Sequence, residues 1–383
     1  MNDFTDVEFE FLLQRPIRRL LTDADRRAFD GRRVFITGAG GSIGSALARQ
    51  VAALHPASLV LFDQSELALF QIERDLVERH PDVRIETVLA DIARPGTAAQ
   101  ACRASRPHVV YHAAAYKHVT MAERAVCAAA DANILGTRYA VDAARDIGAR
   151  FVLISSDKAA RPESVMGATK RFAELVVLSR ACRTFQPVVV RFGNVLGSSG
   201  SVLTIMRERI RQGRPVPLTH PDATRYFMTA GEAVALVMKT ELLARRAETY
   251  WLDMGDPVRI GTLAERLLAL ETRLGHAGVG IDRIGLRPGE KLREELTSQG
   301  LRMCPTRHRR IWVARQRPTD AGALEKALRA LARDVRRGDG LAALEGIGRV
   351  VDDFVPSDQA RASAAAQSLH ASPLAGARRQ RTA

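Results

Sequence analysis

Six short runs of β-branched and apolar residues punctuate the first half of the chain: VFITG (34–38), SLVLFD (58–63), IETVLAD (85–91), HVVYHAA (108–114), FVLISS (151–156) and VVVRFG (188–193). Between them stand stretches such as SALARQVAAL and ELALFQIERDLVERH, whose apolar residues recur at three and four, the period of an amphipathic helix. Strands that alternate with helices pair in parallel through right-handed crossovers, so the pattern predicts an α/β fold with a Rossmann-type, doubly wound parallel sheet. After about residue 195 the alternation weakens into helices with isolated strands, YWLDMG (250–255) and RIWVAR (310–315). This predicts a sheet domain over 31–193 and a smaller C-terminal lobe over 194–318 that closes on the sheet's carboxyl edge and returns segments to it. Residues 1–30 read as a helical extension, 319–356 as C-terminal helices, and 357–383, rich in Ala, Ser and Arg, as a disordered basic tail.

A chain of 383 residues with 46% hydrophobic and 26% charged residues can build a sizeable core and has the composition of a soluble globular protein. The four cysteines, Cys102, Cys127, Cys182 and Cys304, are scattered without C-x-x-C or His spacing, which predicts free thiols and no metal site. No apolar run reaches the roughly 18–20 residues of a transmembrane helix. The acidic start MNDFTDVEFEF lacks the basic n-region of a signal peptide. The net charge of +14 would suit nucleic acid or an anionic surface. However, much of the excess lies in arginine-rich stretches such as RMCPTRHRR (302–310) and RDVRRGDG (333–340), with few aromatic residues to stack on bases. They read as solvated basic faces, and no nucleic-acid partner is expected.

The first strand runs into TGAGGSIGS, Thr37 to Ser45. Gly38, Gly41 and Gly44 lack the side chains that would keep backbone amides, with Ser42 and Ile43 among them, and a helix N-terminus from a pyrophosphate. Nineteen residues after Gly44, Asp63 ends the second strand, where a carboxylate can hold a ribose diol and would repel a 2′-phosphate. The cofactor expected is therefore NAD rather than NADP. In LADI, Asp91 is placed to accept from an adenine amino group, with Ile92 beside it. Ala113, Ala114 and Ala115 after the fourth strand leave room for a close-lying cofactor. Asp157 and Lys158 follow the fifth strand, at the carboxyl edge where open α/β sheets bind ligands. Met166 and Lys170, four apart, share one helix face.

Taken together, TGAGGSIGS, AAYKHV, SSDKAARP, MGATKR, RFGNVLGSSGSV, HPDATRYFMT and RPGEKLREEL resemble, in consistent order over roughly residues 30–300, the extended short-chain dehydrogenase/reductases. Within them the set looks like the nucleotide-sugar 4,6-dehydratases of polysaccharide and flagellin-glycan synthesis. The resemblance implies that Asp157 is the general acid and Lys158 the base of an elimination, and that Lys170 holds the cofactor ribose. It also implies that Lys117, Asn194, Arg225, Arg259, Arg287 and Glu290 line the substrate. The superfamily signature Tyr-x-x-x-Lys reads M-G-A-T-K here, so Met166 occupies the usual tyrosine position, as in membrane-linked members. Those larger members carry transmembrane helices ahead of this region, and this chain resembles a freestanding version. A homo-oligomer in the cytoplasm, at most peripheral to the inner membrane, is implied.

The expected reaction converts a UDP-N-acetylhexosamine, foremost UDP-N-acetylglucosamine, to a 4-keto-6-deoxy sugar with recycled NAD. Lys158 would act as a neutral amine at C5 and Asp157 as a protonated acid at the C6 oxygen. A thioether cannot take the C4 hydroxyl proton, and Asp157 is the favoured acceptor over Lys158 and Lys170. The competing readings are a 4-epimerase or reductase, a non-catalytic NAD-binding regulator, and a nucleic-acid binder. The Asp-Lys pair, the RPGEK and TRYFMT motifs, and the glycine loop weigh against them in turn.

Overall fold

The computed structural model describes residues 4–276, 278–295, 303–315 and 319–371. β1 (Arg33–Thr37) lies inside the main sheet, flanked in parallel by β2 (Ser58–Asp63) and, across the reversal of strand order, by β4 (Val109–His112). Outward from β2 comes β3 (Ile85–Leu89); outward from β4 come β5 (Arg150–Ile154), β6 (Val188–Arg191) and β7 (Thr249–Leu252), all parallel. β9 (Ile311–Ala314) then pairs antiparallel with β7, and β8 (Met303–Pro305) pairs antiparallel with β9 at the edge. The α/β, mostly parallel architecture stands. YWLDMG and RIWVAR, the isolated strands of the C-terminal half, extend the main sheet, where their backbone groups find ladder partners.

Because strand side chains alternate, each strand serves two cores. Val34, Ile36, Leu59 and Leu61 face α1 (Ser42–Ala52) and α2 (Glu66–Arg79), meeting Leu47, Val51, Leu69 and Ile72, while Val188 and Val190 of the same core pack toward the helix Ala230–Leu243. Phe35, Val60, Phe151 and Val189 face α3 (Gly136–Asp146) and α4 (Val165–Ser179), meeting Ala140, Ala144, Phe172 and Val176. That second core continues into α5 (Ala321–Arg337) and α6 (Gly340–Val350) through Leu328, Leu331, Leu344 and Ile347. A third core, Leu203, Met206, Leu263 and Leu267, builds the lobe. The N-terminal helix Asp6–Leu13 joins it through Phe9 and Leu12, while Arg207 is buried between Glu8 and Glu271.

The expected disordered tail needs correction. Residues 358–371 form a helix, α7 (Asp358–Ala371), with Ala360 and Ala364 fully buried. The contact depends on small residues: a Cβ at Gly340 would lie 2.7 Å from the Ala364 carbonyl oxygen, so α6 and α7 touch backbone to backbone. Alanines four apart carry too little apolar contrast to show as a stripe in the sequence, yet they permit this approach. Residues 372–383 of the expected tail lie outside the described residues.

Candidate active site

The glycine loop after β1 forms a cradle that side chains could not share. Gly38 has φ of +65°, and a Cβ there would sit 2.6 Å from the Ala114 amide nitrogen; one at Gly44 would sit 1.9 Å from the Gly38 carbonyl oxygen. Gly41 caps α1 without any side-chain hydrogen bond, leaving the helix's positive end facing the cavity. This cradle fits a dinucleotide pyrophosphate. Asp63, at the end of β2, accepts from the Gly40 amide through Oδ2 at 2.9 Å and from the Ser65 amide through Oδ1 at 2.9 Å. It thereby braces the loop.

A cavity of about 890 Å³ opens where the sheet reverses. Gly38, Gly41, Ser42, Ile43, Gly44, Ala113, Ala115, Lys117, Lys158, Met166, Lys170, Asn194, Arg225, Arg287 and Glu290 all line it. Asp63, Ala114 and Asp157 do not line it. Three other expected residues also do not line this cavity. Asp91 accepts from the Ala93 amide at 2.9 Å and lies near Asp131, whose carboxyl is pushed up by burial and by that neighbour. Ile92 is buried in the second core, and Arg259 is exposed beside Asp222 at 3.6 Å.

β5 delivers Ser155 and Ser156 into a 3-10 turn at Asp157–Ala159. Asp157 is buried; its Oδ1 accepts from Ser156 Oγ at 2.9 Å and Lys158 Nζ at 3.1 Å, while Oδ2 has no hydrogen-bond partner. Gly193, which lines the cavity, lies against this oxygen: a Cβ there would be 2.9 Å from Oδ2. Lys158 Nζ also contacts Glu294 Oε1 at 3.1 Å and Asn194 Oδ1 at 3.3 Å. Burial works to lower its pKa, but the charges of Asp157 and Glu294 outweigh burial and hold it above the usual lysine value. The expected neutral amine is therefore an ammonium as folded, because a second acid stands beside it. Neither Glu294 nor Gly193 was picked out from the sequence; the only signals were the paired acids of LREEL and the glycine of FGN.

α4 places the other two expected residues. Ser164 caps it, accepting from the Gly167 amide at 3.2 Å, and Gly167 has no room for a Cβ, which would lie 2.5 Å from the Lys158 carbonyl oxygen. Met166 is only 4% exposed on the cavity wall. Lys170 Nζ donates to the Ile154 carbonyl at 2.6 Å, and burial, partly offset by Glu174, pushes its amine down to about 8. Behind it Glu174 and Arg191 form a fully buried pair, with Nε to Oε1 at 2.6 Å. Asn133, also absent from the sequence reading, sits in the π-helical turn Asp131–Leu135. It accepts from the Tyr116 amide at 2.8 Å and donates to Thr169 Oγ1 at 3.0 Å, tying the AAYKH loop to α4. Among the described residues no His, Cys, Asp and Glu cluster could hold a metal, and no helix is long and apolar enough to cross a membrane.

Fold and cavity together define an extended short-chain dehydrogenase/reductase with a nicotinamide-dinucleotide cradle. The chain belongs to the polysaccharide biosynthesis protein family, whose model matches residues 34–316. It is 44% identical over 298 residues to the probable polysaccharide biosynthesis protein EpsC of Bacillus subtilis, covering 77% of this chain but only 50% of that one, so it spans about half the relative's length. It is 29% identical to a UDP-glucose 4-epimerase of Rickettsia canadensis, covering 70% of this chain and 79% of that one. It is 27% identical to the inverting UDP-N-acetylglucosamine 4,6-dehydratase of Campylobacter jejuni, covering 70% and 78%. Among solved structures, Pen from Bacillus thuringiensis superposes with a TM-score of 0.70 at 27% identity, covering 78% of this chain and 97% of that one. Nucleotide-sugar dehydratases and epimerases are thus this chain's relatives.

Proposed function

We propose that this protein dehydrates a UDP-N-acetylhexosamine, foremost UDP-N-acetylglucosamine, to its 4-keto-6-deoxy derivative for a surface polysaccharide or glycan, with NAD retained and regenerated in each turnover. The observation that carries this reading is the Asp157–Lys158 pair at 3.1 Å beneath a cavity whose remaining catalytic position is the inert Met166. An epimerase has no use for an acid and a base aimed at neighbouring sugar carbons.

When bound, NAD supplies reversible hydride transfer at the sugar. The residues of the chain handle protons and position. A C4 ketone acidifies the C5 hydrogen, and Lys158, once neutral, removes it. Asp157, having accepted the C4 hydroxyl proton, donates it to the departing C6 oxygen, which leaves as water. Lys117, Arg225 and Arg287 supply cations around the cavity for a diphosphate. The cradle of Gly38, Gly41 and Gly44 and the buried amine of Lys170 would hold the cofactor.

Incubation of the purified protein with UDP-N-acetylglucosamine, followed by product mass, tests the reading. Loss of one water supports it. An unchanged mass with altered sugar stereochemistry would assign a 4-epimerase instead, and steady consumption of added NAD would assign a net oxidation.

A further inference from the structure

Glu294 reaches the catalytic turn from the far lobe. The Thr224 amide donates to the Leu292 carbonyl at 3.0 Å, and Thr224 bridges Arg293 in parallel, so the segment after RPGEK runs alongside the strand that carries Arg225. Lys291 anchors it across the cleft, donating to the Arg161 carbonyl at 2.7 Å and pairing with Glu163 at 3.0 Å. Arg225 is held by the carbonyl oxygens of Thr224 at 2.8 Å and Lys291 at 2.6 Å. One oxygen of Glu294, Oε1, then faces two cations: Lys158 Nζ at 3.1 Å and Arg225 Nε at 3.5 Å. Its side chain is 4% exposed, so water screens neither contact well.

The proton count of the proposed elimination makes this contact consequential. Asp157 takes the C4 proton and later releases it in water; Lys158 takes the C5 proton and later returns it to C5. The cycle closes only if it starts with Asp157 as carboxylate and Lys158 as amine. As folded, Lys158 lies between two carboxylates and holds one proton too many. The charged groups around it are Asp157 on its own turn, Glu294 from the lobe, Arg225 behind Glu294, and Lys170 of α4 on the same cavity wall. Of the two carboxylates, Asp157 has a step of its own, whereas Glu294 has none.

We propose that Glu294 is an electrostatic lock on Lys158: a positioning residue whose carboxylate, shared with Arg225, opposes the loss to solvent of the proton that Lys158 must shed before it can act as a base. The lock itself rests on the geometry of the site; its effect on turnover rests on the dehydratase reading. Glu294 makes no covalent bond and is not consumed.

The test separates the two. Lys158 in the purified chain is acylated with an amine-selective reagent at fixed pH near 8, and the labelled peptide is quantified by mass spectrometry. Glu294→Gln, nearly isosteric, should label roughly tenfold faster than the parent or more, the usual consequence of removing one adjacent opposite charge. Glu294→Asp, which restores the charge on a shorter arm, should fall between them, with melting temperatures confirming that both variants fold. Equal labelling of Lys158 in parent and Gln variant, or an Asp variant no slower than Gln, overturns the lock. The acid limb of kcat/KM with UDP-N-acetylglucosamine should move to lower pH in the Gln variant. If labelling accelerates and that limb stays, the lock stands and Lys158 is not the base at C5, so the function reading is what fails.

Discussion

The amine of Lys170 donates to the carbonyl oxygen of Ile154 at 2.6 Å, which fastens α4 to the last residue of β5. That carbonyl solvates the ammonium only in part, and burial pushes the amine down from 10.5 to about 8 despite Glu174. Between those two values the unfolded chain binds more protons than the folded one, so this group's contribution to stability rises with pH across that window and is least favourable below about 8. Urea unfolding of the parent and of Lys170→Met at pH 7.5 and 9.5 reads the effect. The stability difference should move in the parent's favour by about 2 kcal/mol between the two conditions. A difference independent of pH would mean that Lys170 titrates as an ordinary surface lysine.

The sheet was legible because its strands are short, β-branched and separated by helices of clear period, and because Gly38, Gly41 and Gly44 mark the one turn in which a Cβ at Gly44 would strike the Gly38 carbonyl. Residues set by the strand ends, such as Ala113, Lys158 and Asn194, reach the cavity for the same reason: topology puts the carboxyl ends of the parallel strands on one edge. What stayed illegible depends on tertiary approach. Glu294 meets Lys158 only because Thr224 and Leu292 pair, and no local pattern announces that bridge. Gly193 matters through the position of Asp157 beneath it, and α7 through alanines whose burial needs Gly340 opposite. Arg259 shows the limit from the other side: an arginine in a motif is expected at the substrate, and the structure leaves it exposed beside Asp222 rather than on the cavity lining.

Glu123 gives the C-terminal helices a route to the site. It is buried; its Oε1 accepts from the Val165 amide at 2.7 Å, the first residue of α4, and its Oε2 accepts from Ser357 Oγ, the residue before α7. Gln367 adds a second clasp, accepting from the Cys127 amide at 3.3 Å and donating to the Arg124 carbonyl at 2.8 Å. Removing residues 357–383 should therefore expose the Ala360 and Ala364 contact and lower the melting temperature by about 5 °C or more, equivalent to a few kcal/mol in a chain of this size. Differential scanning calorimetry of the truncated chain is the check. An unchanged melting temperature would show that α7 contributes nothing to the body it touches.

Met166 poses the sharpest question about the chemistry. Its side chain lines the cavity in the first turn of α4, four residues before Lys170, where the superfamily signature carries a phenol. A thioether neither gives nor accepts a proton at any accessible pH, so in the proposed dehydration another group takes the C4 proton. Asp157 has a buried oxygen without a hydrogen-bond partner against Gly193, and the proposed elimination would use that same proton one step later. On this account Met166 shapes the wall while Asp157 does the proton work. Met166→Leu, close in volume, should keep turnover within about fivefold of the parent, since such swaps usually perturb packing by less than 1.5 kcal/mol. Asp157→Asn should lose about 10²–10⁴-fold, the usual contribution of general acid–base catalysis, while still folding and binding NAD. Initial rates of 4-keto product formation in both variants decide between the residues: a collapse in Met166→Leu with the fold and cofactor content intact would give the sulfur a part in catalysis, and an active Asp157→Asn would take that part from the carboxyl.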